Sequence, residues 1–231
     1  MNAALRKLMR KGPPAPAEID AFIREEQFPL VDKEETTFVY RGNVEAVYLR
    51  CWISGLDTAQ PFQRLVDTDL WATTIRLPKG SRIEYKFELE NHGERHLILD
   101  PFNDVKAHDP FGANSVCQAW GYHRPSWTHP QETARAGTIE QLYLESDAFQ
   151  QTREIAVYRP AWFRENRRYP LLVVHDGFDY LHYASLKAVL DNLISALEIP
   201  SMIVAMIQSP DRLKEYSGDD RHARFVAEEL V

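Results

Sequence analysis

Two wholly apolar runs of strand length, joined by one amphipathic helix, constrain this chain more than any other feature. The first run, Leu171-Leu172-Val173-Val174, follows Pro170. A proline has no N–H to give a central ladder, so it marks the start of a strand. The absence of polar alternation predicts a strand covered on both faces. His175-Asp176-Gly177 breaks the run, and Gly177 permits a sharp turn of the backbone. Leu186, Val189, Leu190, Leu193, Ile194 and Leu197 then recur at the spacing of one helix face. Ile199-Pro200 ends that helix, and Met202-Ile203-Val204-Ala205-Met206-Ile207 is the second apolar run. Strand, crossover helix and strand make a βαβ unit of a parallel sheet. Ligands of open α/β sheets sit at the carboxyl ends of the strands, which makes the loop 175–180 the first candidate for chemistry.

The first half of the chain reads with a different period. Residues 1–17 are a basic arm closing in Gly12-Pro13-Pro14-Ala15-Pro16, a linker composition expected to fray. Ile19, Phe22 and Ile23 suit a short helix, so residues 1–29 form an arm and helix. From about residue 36 apolar residues alternate: Val47, Leu49, Cys51 and Ile53 before a turn at Ser54-Gly55, then Trp71, Thr73, Ile75 and Leu77. Ile83, Tyr85, Phe87 and Leu89 alternate with charges, and slipping that register by one residue would bury them. Short strands with turn signals at this spacing predict an antiparallel β-sandwich over residues 30–120. Asp100-Pro101-Phe102-Asn103 and the segment from Asp109 to Ser115 suit Asx turns at its edge. Trp52, Trp71 and Trp120 admit two readings, stacking on a sugar ring or filling the core.

Residues 121–138 lack a period and carry two prolines and two glycines, which predicts an inter-domain linker. Two further strands, 139–146 and 153–160, precede Pro170 across a hairpin-like link, giving β, β, β, α, β from residue 139 to 207. A polar loop, 208–220, lies on the same side as His175-Asp176-Gly177, and Ala223, Val226, Ala227 and Leu230 mark a last helix.

Composition narrows the function. A net charge of -7 argues against nucleic acid as the main partner. Cys51 and Cys117 are too few and too far apart for a disulfide framework or zinc motif, so a reducing cytoplasm is the expected compartment. No histidine pair stands in a zinc-motif setting, and neither a metal nor another cofactor is expected. There is no Gly-x-Gly-x-x-Gly after a strand and no Gly-Lys-Ser/Thr loop, which removes nucleotide-binding readings. No run approaches a membrane span, and no membrane partner is expected.

Residues 139–231 resemble the first half of esterase-D-type α/β hydrolases in Val174-His175-Asp176-Gly177, in Arg212 with Glu215-Tyr216, and in the helix 224–230. The sandwich, with Tyr85-Lys86-Phe87-Glu88-Leu89, Asp100-Pro101-Phe102-Asn103 and Phe111-Gly112-Ala113-Asn114-Ser115, is similar to the immunoglobulin-like (E-set) domain of enterochelin esterases, whose relatives include glycogen-binding modules. The pairing implies an α/β protein with an all-β N-terminal domain, the sandwich being followed by a partial α/β-hydrolase sheet. It also implies a cytoplasmic serine hydrolase cutting a small-molecule ester, in some members an iron-catecholate siderophore. By the resemblance, Gly177 and Phe178 supply the oxyanion-binding N–H groups, and Asp176, Arg212 and Tyr216 meet the substrate. An ion pair of Arg212 with Glu215 or Asp211 is the alternative for that side chain.

The family's Gly-x-Ser-x-Gly elbow is missing, since no two of the ten glycines are four apart. His175 and His222 precede the place of the missing serine, whereas the hydrolase order is serine, acid, histidine. No catalytic residue is therefore assigned within the chain, which is expected to be a fragment, inactive as given. Its free sheet edge is expected to pair with a second copy as a homodimer. The competing reading is a binding module whose sandwich docks a glucan or a protein.

Overall fold

The computed structural model describes residues 2–53 and 55–231, and they divide into two compact units, up to His123 and from Arg124 onward. Ser54, the first residue of an expected turn, lies outside the described residues.

The first unit opens with helices α1 (Ala3–Leu8) and α2 (Pro16–Glu25). Asn2 caps α1 by accepting the Ala4 N–H at 2.8 Å, and Glu18 reaches back to the Ala15 N–H at 2.8 Å to cap α2. The strands follow in order: β1 (Leu30–Asp32), β2 (Glu35–Arg41), β3 (Ala46–Cys51), β4 (Ala59–Pro61), β5 (Gln63–Arg64), β6 (Leu70–Arg76), β7 (Arg82–Asn91), β8 (Glu94–Ile98), β9 (Lys106–Asp109) and β10 (Gly112–Gln118). They form two antiparallel sheets, β1-β2-β6-β5 and β4-β3-β7-β10-β9, with β8 paired to β7. Phe38, Trp71 and Ile75 of one sheet pack with Val47, Leu49, Tyr85, Phe87 and Cys117 of the other, which makes a sandwich. The alternation read from β7 holds, with Tyr85 and Phe87 buried in the register the charges demand.

The arm expected to fray is ordered structure instead. Val39 and Leu70 face away from the sandwich core, giving the first sheet a second apolar face. Leu5 of α1 and Ile19 and Phe22 of α2 pack in the same cluster, and Leu5 is fully buried. Burying that face removes enough apolar surface from water to hold a helix too short to persist alone.

The second unit contains β11 (Thr138–Ser146), β12 (Gln151–Arg159), β13 (Leu171–Val174), α3 (Gly177–Tyr183), α4 (Leu186–Ser195), β14 (Ile203–Ile207), α5 (Arg212–Glu215) and α6 (Asp220–Arg224), which runs into a π-helical segment, Phe225–Leu230. The sheet order is β11-β12-β14-β13; β11–β12 and β12–β14 pair antiparallel and β14–β13 parallel, with Val173 opposite Ala205. Val204 and Met206 pack with Leu190 and Ile194 of α4 on one face, while Ala205 and Ile207 pack with Phe225 on the other.

Three sequence readings need correction here. β13 ends the sheet among the described residues, and Leu171 and Leu172 are each 42% exposed, so only Val173 and Val174 are covered. Residues 177–180, read as part of a loop, belong to helix α3. Leu197, assigned to the apolar face of α4, lies beyond it at φ 60° and is 89% exposed. It ends the helix in a Schellman motif, with Glu198 N–H bonded to Leu193 O and Leu197 N–H to Ile194 O.

Residues 124–137, part of the stretch read as a linker, are fastened to α4 by its side chains. Asn192 donates to the carbonyls of Trp127 and His129 at 2.9 and 2.8 Å, and Asp191 accepts the Gly137 N–H at 2.7 Å.

Candidate active site

The carboxyl ends of β13 and β14 gather the residues singled out by the sequence. β13 gives way to His175 and then to Asp176, which takes a left-handed conformation (φ 52°, ψ 33°). The turn therefore falls on Asp176 rather than on Gly177. The glycine is needed for a different reason: a Cβ there would collide with the Cα and Cβ of Met206 on β14. That close approach sets the start of α3 against the sheet. Gly177 and Phe178 supply its first N–H groups, which helical geometry leaves without an intrahelical acceptor. Phe178 packs in the cluster beneath α3 and α4.

Asp176 is tied to the loop after β14. Its Oδ2 pairs with Arg212 Nη2 at 2.9 Å, and its N–H points at Tyr216 Oη at 3.4 Å. Arg212 thus pairs with Asp176, and neither Glu215 nor Asp211 takes that place. Asp211 instead caps α5, accepting the Lys214 N–H. Glu215 turns inward to Arg153 of β12, making two hydrogen bonds of 3.2 and 2.5 Å. Their side chains are 7% and 6% exposed, and Phe149 lies against the guanidinium at 4.2 Å. This bidentate pair fixes α5, and hence Arg212 and Tyr216, against the sheet.

Behind Asp176, three rings meet. His175, Tyr216 and His222 have centroids 5.0 to 5.1 Å apart. Burial, and next the neighbouring charge of His175, hold the His222 imidazole below its ordinary pKa, while burial pushes the Tyr216 phenol up. His222 Nδ1 is 3.8 Å from Glu215 Oε2, beyond hydrogen-bond range. Both ring nitrogens of His222, Oδ1 of Asp176 and Oε1 of Gln208 are buried without a hydrogen-bond partner among the described residues. Gln208 follows β14 and donates to Asp179 at 3.3 Å. Buried polar atoms without partners are costly, so this concentration of them at the ends of two parallel strands calls for partners beyond the described side chains, from water, a ligand or further protein.

The sequence reading placed Asp176, Gly177, Phe178, Arg212 and Tyr216 at one strand-end cluster, and the structure gathers them there. It missed Arg153 and Gln208, considered Glu215 only as a partner of Arg212, and set His222 aside as a triad member. Arg153 did leave a signal, since it lies in phase with buried Ile155 on β12. A charge on the buried phase of a strand calls for a partner, but nothing in the sequence marks Glu215, 62 residues away.

Comparison with known proteins adds to this geometry. A family model described as a putative esterase matches residues 146–230. The matched segment lies within the second unit, which is similar to that family over those residues. An enterobactin esterase from Shigella flexneri, solved in the presence of enterobactin, superposes with a TM-score of 0.70 at 19% identity, covering 91% of this chain and 63% of its own. A ferric enterobactin esterase from Salmonella typhimurium gives 0.71 at 18% identity, covering 91% and 64%. This chain shares their mixed α/β fold and spans less than two thirds of their length. No curated protein sequence matches it.

Proposed function

We propose that this chain is the front part of an ester hydrolase of enterochelin-esterase type, with the ester of an anionic catecholate siderophore as substrate. The observation that carries the reading is the group of unpartnered buried atoms on Asp176, Gln208 and His222, inside the segment that matches the esterase family. Similarity to structures solved with enterobactin and with 2,3-dihydroxybenzoyl-serine supports the substrate class. The first-turn N–H groups of Gly177 and Phe178 stabilise the oxyanion of the tetrahedral intermediate. Arg212, oriented by Asp176, attracts the anionic substrate, and Tyr216 borders it. The nucleophilic serine, its histidine and the acid that orients it come from sequence outside these 231 residues, because no Gly-x-Ser-x-Gly occurs within them. The sandwich is of the immunoglobulin-like E-set kind, and the compartment is the cytoplasm.

β13 leaves a sheet edge without a partner among the described residues. We place the serine-bearing strand on that edge in the active enzyme. Produced alone, the 231 residues pair through it as a homodimer, which size-exclusion chromatography with light scattering would read as twice the chain mass.

The product of the native gene is to be assayed against an anionic catecholate ester and a neutral aryl ester. Arg212→Ala is expected to raise KM for the anionic ester about tenfold and to leave the neutral one within about twofold. Failure of the native product to cut either ester, or an equal effect of the substitution on both, would contradict the proposal.

A further inference from the structure

One face of the sandwich carries features that the esterase reading does not use. A groove of about 460 Å³ opens on the second sheet, lined by Arg50, Trp52, Arg82, Glu84, Lys86 and Asn114, with Leu97 and residues of β7 completing it. Trp52, just after β3, is 80% exposed. Arg50 of β3 and Lys86 of β7 stand directly opposite each other in the antiparallel register. Like charges so placed repel and weaken the pairing of their strands.

The neighbouring carboxylates cancel that charge only in part. Arg82 is bonded to Glu84 at 2.9 Å, and Glu84 also accepts from Asn114 at 3.0 Å. Arg50 has only a 3.5 Å approach to Glu88, which Arg95 approaches at 3.2 Å. Lys86 makes no ion pair among the described residues. The groove thus holds three cations against one lining carboxylate, on a chain whose net charge is -7.

We propose that this groove binds an acidic oligosaccharide, a short chain of pyranose rings bearing carboxylates, of uronic-acid type. The exposed indole offers a flat apolar face to a sugar ring. Arg50 and Lys86 pair with a ring carboxylate, which relieves their mutual repulsion. Glu84 and Asn114 supply the acceptor and donor that ring hydroxyls need. This mixture favours a hydroxyl-rich anion over a plain aryl acid, for which Glu84 would be repulsive. The site lies wholly in the first unit, so the proposal stands independently of the esterase reading.

The test is titration calorimetry of the full chain at low salt with trigalacturonate, and with maltotriose as its neutral counterpart. Trigalacturonate is expected to bind at least about tenfold more tightly than maltotriose, with affinity falling as salt rises. Trp52→Ala and Lys86→Gln are each expected to weaken it by about tenfold. Both side chains lie outside the sandwich core, so Trp52→Ala should keep the parental thermal midpoint, and Lys86→Gln, which removes the repulsion with Arg50, should keep or raise it. Lys86→Gln decides the matter if Trp52→Ala does not fold. Equal affinity for the two trisaccharides, no binding of trigalacturonate, or parental affinity in Lys86→Gln would overturn the proposal. So would displacement of trigalacturonate by an equal concentration of 2,3-dihydroxybenzoate, which would make the groove an aryl-acid site.

Discussion

Asp100 is almost wholly buried at the edge of the sandwich, where its carboxylate accepts from Tyr85 Oη at 2.6 Å and from the Phe102 N–H at 2.8 Å. Asn103 completes the network by donating to Tyr85 Oη and to the Val116 carbonyl. Burial outweighs these hydrogen bonds and pushes the carboxyl up to about 6, from 3.8 when free. The folded chain therefore takes the proton before the unfolded chain as pH falls. This single group adds stability as pH drops from about 6 toward 4, opposite to the usual salt-bridged carboxylate. Urea unfolding from pH 7 to pH 4 should show the parent gaining about 2 kcal/mol relative to Asp100→Asn. A flat difference, or one that grows in favour of the variant at low pH, would contradict the assignment. The Asx turn at Asp100 was legible in the sequence because Asp-Pro-Phe-Asn has the chemistry of a turn. The network with Tyr85 and Ser115 was not, because it depends on the pairing of β7 with β10.

Elements were legible where burial leaves a periodic trace. β13, α4 and β14 follow from two apolar runs and one helical stripe, and β7 follows from charges that would be buried by a slip. α1 and α3 escaped because six or seven residues span too few turns to show a period. What holds α1 is the second apolar face of a sheet, visible only once Val39 and Leu70 are seen to point away from the sandwich core. The end of α4 misled for another reason. Leu197 fits the helical spacing, yet the following Ile199-Pro200 forces a stop, and the leucine takes the left-handed position that glycine usually fills. A Cβ in that conformation costs about 1 kcal/mol, and Leu197 is too exposed to recover it by packing. Leu197→Gly should therefore stabilise the chain by about 0.5 kcal/mol after the added freedom of the unfolded glycine is counted. A lower denaturation midpoint would show that Leu197 packs on something else.

At the scale of the whole molecule, a mainly β unit carrying two short helices precedes an α/β unit, and this fold is shared with enterobactin esterases. The strand-end location of the site was legible, because parallel strands gather their following loops at one end. Its inner support was not, since Arg153, Glu215 and His222 come from three elements that only the tertiary fold unites. The central claim is that the cluster at His175, Asp176 and Arg212 belongs to a serine esterase whose nucleophile lies outside these residues. The most direct measurement is the intact mass of the native gene product after reaction with a serine-directed fluorophosphonate. The account predicts a product well above 26.8 kDa carrying one labelled serine beyond residue 231. A product of 26.8 kDa that takes up no label would contradict it.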